Sequence, residues 1–159
     1  FYFYHWNEDK TEIFDKIYSL YKPLKILNGN NENDLIENIP SHGHVERMHV
    51  INYPIGGGQI SKHYDPISIS ICNFGLYGTK NGVDYDKGGF FVVNKDNEEV
   101  NLDKDMEKTD IVLFFPGLIH GVNPIDAKSN SENKGRWFFN INTIESHHNL
   151  EREYTVAIK

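Results

Sequence analysis

The stretch RMHVINYPIGGGQISKHYDPISISIC, residues 47–72, carries the reading of the fold. Its apolar residues recur at every second position, the spacing of an extended chain whose side chains alternate between two faces. RMHVINY (47–53) alternates loosely and reads as a strand. Gly56-Gly57-Gly58 reads as a tight connection, since glycine adopts backbone angles that other residues avoid. No Lys-Ser/Thr follows it at the offset of a phosphate loop. QISKHYD (59–65) reads as the next strand. PISISIC (66–72) alternates strictly, with Ile67, Ile69 and Ile71 on one face and Ser68, Ser70 and Cys72 on the other.

Outward from this stretch the same period continues. GGFFVVN (88–94), DIVLFFP (110–116), LIHGV (118–122) and RWFFNINTI (136–144) read as strands, and EYTVAI (153–158) as a last one. DNEE (96–99) is a turn signal, and DAKSNSENKG (126–135) an exposed polar connection. Upstream the period changes. In DKTEIFDKIYSLY (9–21), Ile13, Phe14, Ile17, Leu20 and Tyr21 recur at helical spacing, and Pro23 is expected to end the helix. Residues 28–44 read as a loop with a short helical piece near ENDLIENI (32–39). Many short strands after one helical segment predict a mainly β fold with an N-terminal helical segment, best matched by a cupin-like, double-sheet jelly roll. A single domain is expected over 1–159. Residues 1–44 would give helical and loop support, 45–145 the jelly-roll core, and 146–159 a C-terminal extension.

Composition narrows the function. The formal charge is −7 and no Lys or Arg run exceeds one residue, which disfavours nucleic acid as a partner. Cys72 is the sole cysteine, so an intramolecular disulfide and a zinc–thiolate site are both excluded. No apolar run approaches the ~20 residues of a membrane span. No signal peptide is visible in a chain that begins at Phe1 rather than Met, and a cytoplasmic location is the expectation. Aromatic residues, at 13%, suit a β-rich core or a cleft lined with rings.

His63 and Asp65 stand two positions apart, and one strand face would point both at a single atom. His120, in the segment that follows DIVLFFPGL, is the candidate third ligand. Two imidazoles and one carboxylate on one face of an octahedron leave three positions open, the arrangement of non-haem Fe(II) oxygenases. Arg136 opens a strand and could hold a carboxylate in a bidentate pair. Tyr53 is a second donor candidate. Asn140 shares the face of Arg136 and is a candidate contact for co-substrate or substrate. Each of these has a plainer reading, as a structural histidine, a surface cation, a core aromatic or a satisfied strand Asn. His42 and His44 share the spacing of a metal pair but lack a nearby carboxylate pattern. The adjacent His147 and His148 would point to opposite strand faces.

The ordered set His63-Tyr64-Asp65, His120 and Arg136 resembles the His-x-Asp, His, Arg pattern of the Fe(II)/2-oxoglutarate-dependent dioxygenases, with prolyl-hydroxylase-like and phytanoyl-CoA-hydroxylase-like members the nearest in character. YPIGGGQISKHYDP, KGGFFV, TDIVLFFPGLIHGVNPI and GRWFFNI resemble the corresponding family strands, over roughly residues 45–145. The resemblance implies a double-stranded β-helix of the jelly-roll type, with Fe(II), 2-oxoglutarate and O₂ as cofactor and co-substrates and ascorbate as a candidate reductant. It implies oxidative decarboxylation of 2-oxoglutarate to succinate and CO₂, coupled to hydroxylation of a C–H bond. His63, Asp65 and His120 would hold the metal. Arg136, with Tyr53 and Asn140, would serve the co-substrate, and Lys134 is the second candidate anchor. Asp65 stands where iron halogenases carry a small residue, which argues against halogenation. A small-molecule substrate is the first expectation and a peptidyl residue the second. A cupin-like non-oxygenase or a ligand-binding jelly roll is the alternative class, although a cupin more often shows His-x-His and a Glu.

Overall fold

The computed structural model describes residues 1–31, 35–36, 43–68, 70–126 and 135–145. Its elements in chain order are β1 (Tyr2–Phe3), α1 (Ile13–Leu27), β2 (His44–Pro54), β3 (Gly58–His63), β4 (Asn73–Tyr77), β5 (Lys87–Val93), β6 (Glu99–Asn101), β7 (Ile111–Phe114), β8 (His120–Asp126) and β9 (Gly135–Glu145). A single 3₁₀ turn spans Asp103–Asp105. One sheet has the order β1-β2-β9-β4-β7 and the other β3-β8-β5-β6. This is the mainly β, antiparallel jelly roll that the alternating segments predict, preceded by one helix. The chain divides into two compact units, Phe1–His49 with the residues from Ile141 onward, and Val50–Asn140.

The Val50–Asn140 unit has its own core. Tyr77, Phe90, Val112, Val122, Ile125 and Phe138 are buried together, one or two from each of β4, β5, β7, β8 and β9. Period-two alternation selects them: on β9, Arg136 and Phe138 turn inward while Trp137 between them does not. Gly75 on β4 makes room for this core. A Cβ there would lie 1.7 Å from Cζ of Phe138, so the ring packs directly on bare backbone. On β5, Gly88 and Gly89 have φ of 83° and 113° and sit where the register with β8 shifts, a bulge that few residues other than glycine accept.

In the other unit, α1 buries Phe14, Ile17 and Tyr21 as the helical spacing predicts, but Tyr18 is buried too, whereas Leu20 is 49% exposed, a one-position turn of the face. The helix starts at Ile13, after Asp9 has folded back to accept the Phe14 N–H at 2.9 Å. Pro23 does not end it. The helix continues to Leu27 although proline lacks the N–H that would reach Ser19. Past the proline, Lys25 is buried, with its Nζ 3.1 Å from Oε2 of Glu46 and donating to Thr143 Oγ1 at 2.9 Å. Those contacts hold the last turn against the local cost of Pro23.

One strand expectation is also corrected. Residues 66–68 and 70–72 form no strand: Ile67 and Ile71 are 59% and 60% exposed, and the Ser70 hydroxyl donates to the Cys72 carbonyl. A hydroxyl bonded to nearby backbone competes with a strand ladder. The strand is instead β4, which pairs with β7 from Asn73↔Phe114 to Leu76↔Ile111 and with β9 from Gly75↔Asn140 to Tyr77↔Phe138. The expected last strand at 153–158, Lys134, His42, His147 and His148 lie outside the described residues.

Candidate metal centre

His63 is the last residue of β3 and His120 the first of β8, and the antiparallel register sets them directly opposite each other. Their ring centroids are 4.3 Å apart. Asp65 does not share a strand face with His63, because β3 has already ended. It is brought in by its own N–H, which donates to the Pro116 carbonyl at 2.9 Å across the neighbouring loop. Its Oδ1 then lies 3.7 Å from Nε2 of His63, and Oδ2 3.5 Å from Nε2 of His120. One ligand atom from each of the three residues lies within 4.8 Å of the others.

The outer contacts orient these atoms. Nδ1 of His63 is 2.8 Å from the Ser61 carbonyl, and Nδ1 of His120 is 2.8 Å from the Leu118 carbonyl. A carbonyl can only accept, so each Nδ1 carries a proton, and Nε2 is the ring atom that each imidazole turns toward Asp65. Asn73 Nδ2 donates to Asp65 Oδ2 at 2.7 Å. The hydrogen bond with His120 holds the Asp65 carboxyl below the usual range, against a desolvation that pulls the other way. Burial would push His120 down, but Asp65 and the Leu118 carbonyl raise it. His120 is buried against Phe90 and Phe114, with centroids at 5.9 and 4.9 Å, whereas His63 and Asp65 are partly open to solvent. The donor types suit Fe(II): two imidazole Nε2 atoms, which a metal would bind in place of a proton, and one carboxylate.

Arg136, Tyr53 and Asn140 lie in the same unit. From His120 the aromatic row runs through Phe90 to Phe138, with centroids 6.4 Å apart, and the Arg136 guanidinium lies 4.6 Å from the Phe138 ring. Arg136 is buried and already paired. Its Nε donates to Oδ2 of Asp103 at 2.6 Å and its Nη2 to Oδ1 at 3.1 Å. Tyr85 donates to the same Oδ2 at 2.6 Å. Burial would lower the Arg136 pKa, but Asp103 raises it further above its already high value. Tyr53 is half-buried with Arg136 5.6 Å from its ring centre. Burial raises the Tyr53 pKa, while Arg136 works in the opposite direction. Among the described residues, the buried Tyr77 hydroxyl and the buried Asn140 Oδ1 have no hydrogen-bond partner. Burial first, and Asp103 second, push the Tyr77 and Tyr85 phenols up.

Spacing alone does not reveal Asp103, Tyr77, Tyr85 or Asn73. Asp103 lies in a stretch dense with charge, NKDNEEVNLDKDMEKTD (94–110), that looks solvated in the sequence. The signal for Asn73 is its place at the start of a strand soon after His-x-Asp.

No protein-family model and no curated protein matches the chain. Among solved structures it is similar to the crystal structure of a Pseudomonas putida prolyl-4-hydroxylase, with a TM-score of 0.57 and 18% identity. The match covers 91% of this chain and 72% of that one. At that identity the likeness concerns the fold.

Proposed function

We propose that this protein is an Fe(II)- and 2-oxoglutarate-dependent oxygenase that hydroxylates a C–H bond of a small molecule. The observation that carries this reading is the His63, Asp65, His120 cluster, with both imidazoles oriented by backbone carbonyls so that Nε2 faces the carboxylate. The jelly-roll likeness to a hydroxylase supports it. Bound iron and keto acid would supply the oxidising chemistry. The chain's own residues orient and exclude water. Asn73 steadies Asp65, Phe90 and Phe114 cover His120, and Arg136 with Tyr53 would face the far end of the keto acid.

The chain segments around the ligands carry exposed apolar side chains: Tyr64, Ile67, Ile71, Phe115, Leu118 and Ile119. They favour a substrate with an apolar body, a small metabolite or a lipid. A peptidyl substrate is the second reading, favoured by the prolyl-4-hydroxylase likeness.

The test is keto-acid-dependent CO₂ release by Fe(II)-loaded protein under oxygen, beside His63→Ala and Asp65→Ala. Release that both substitutions abolish is the expected result. Tight iron binding with no release under any keto acid would instead bring forward a cupin-like, non-oxygenase role, and no iron binding would reduce the cluster to a polar turn.

A further inference from the structure

The expected carboxylate anchor already holds a carboxylate. Asp103 is 1% exposed and Arg136 is 1% exposed, and two of the three guanidinium nitrogens point at Asp103. The arrangement is built, not incidental. The Asp103 backbone N–H donates to Asn101 Oδ1 at 2.9 Å, which sets the 3₁₀ turn, and the Tyr85 hydroxyl takes a further lone pair. Gly89 leaves the space that Oδ2 fills, since a Cβ there would stand 2.5 Å from it. The buried Tyr77 hydroxyl stands beside the pair, close enough that both Asp103 and Arg136 act on it.

This changes the electrostatics of the site. A lone buried guanidinium attracts an incoming carboxylate strongly because little water screens it. A guanidinium paired with Asp103 is neutral as a unit. An arriving carboxylate would be drawn by Arg136 and repelled by Asp103 a few ångströms farther on. It would leave water for a guanidinium whose Nε and Nη2 are already taken, and bring an uncompensated charge into the interior.

Resting on the oxygenase reading above, we infer that Asp103 is a built-in counter-anion that weakens Arg136 as an anchor, so that the site discriminates little between 2-oxoglutarate and a keto acid lacking the distal carboxylate. Asp103 is thereby a specificity-determining residue for the co-substrate. It acts through Arg136 and needs no contact with the metal.

The experiment measures binding rather than turnover. Fe(II)-loaded protein is titrated anaerobically with 2-oxoglutarate and, separately, with 2-oxovalerate, which replaces the distal carboxylate by a methyl group. Affinities are read from the visible charge-transfer band and from calorimetry. In the native protein 2-oxoglutarate is expected to bind less than tenfold more tightly than 2-oxovalerate. In Asp103→Asn that preference is expected to rise at least tenfold, through 2-oxoglutarate alone. A native preference of tenfold or more overturns the inference and needs no variant to do so. A folded Asp103→Asn protein with an unchanged or smaller preference overturns it too. If iron binds but neither keto acid alters its spectrum in either protein, the oxygenase reading itself has failed, a result distinct from failure of the counter-anion.

Discussion

Asn73 makes one side-chain contact in the metal cluster, a 2.7 Å hydrogen bond to Asp65 Oδ2. That oxygen is the one nearest His120. Losing such an orienting partner typically weakens a metal site about 10–100-fold. Asn73→Ala is therefore expected to lower iron affinity by that order while leaving the fold intact, as a competition titration against a chelator would show. An Asn73→Ala protein that holds iron as tightly as the native one would mean that Asp65 is positioned by its backbone bond to Pro116 alone. At this scale the three candidate ligands were legible in the sequence because a ligand must be of a certain chemical type, and type is what a sequence records. Asp103 was not legible. Its chemistry is that of any surface aspartate, and only burial against Arg136 and Tyr85 makes it different.

At the scale of elements, α1 is held through a buried ionic triad rather than by its apolar face alone. Lys25 faces Glu46 on β2, and Thr143 on β9 links them, accepting from Lys25 and donating to Glu46 Oε1 at 3.1 Å. Burial pushes Lys25 down and Glu46 up, and their mutual attraction opposes both shifts. Removing one member strands the other charge in the interior, a change that typically costs about 3–5 kcal/mol. Glu46→Leu is expected to destabilise by that amount in urea denaturation, and Lys25→Met added to it is expected to recover most of the loss. Equal losses in the single and double variants would show that the pair is held for its geometry and not for its charge balance. The same triad explains why Pro23 misleads as a stop signal: local propensity is a few kcal/mol, and a tertiary contact beyond the proline can offset it. The 66–72 segment misleads in the other direction. Alternation records which residues could share a face, but a strand also needs a partner edge, and β4 at Asn73–Tyr77 takes the edges of β7 and β9.

At the scale of the whole molecule, a metal that binds the folded chain and not the unfolded one must stabilise it. At a concentration a hundredfold above its dissociation constant the gain is about 2.7 kcal/mol. For a chain of 159 residues this corresponds to a rise in Tm of about 5–10 °C. Anaerobic thermal denaturation with Fe(II) is expected to show the rise, chelation to reverse it, and His120→Ala to remove it. A rise that persists in His120→Ala would place the metal elsewhere. Among the described residues, no helix is long and apolar enough to cross a membrane.

The sequence by itself determined the mainly β architecture, the presence of the N-terminal helix with most of its buried face, and the donor types of the candidate metal site. Each of these follows from side-chain chemistry and from the period at which it repeats, and both are local properties of the chain. The tertiary structure alone decided that β3 stops before Asp65, that His63 and His120 meet across a sheet register, and that Arg136 is already paired with Asp103. Those outcomes depend on which strands become neighbours and on how deeply a charge is buried. Coulomb attraction and desolvation act through distance in space, which separation along the chain does not encode.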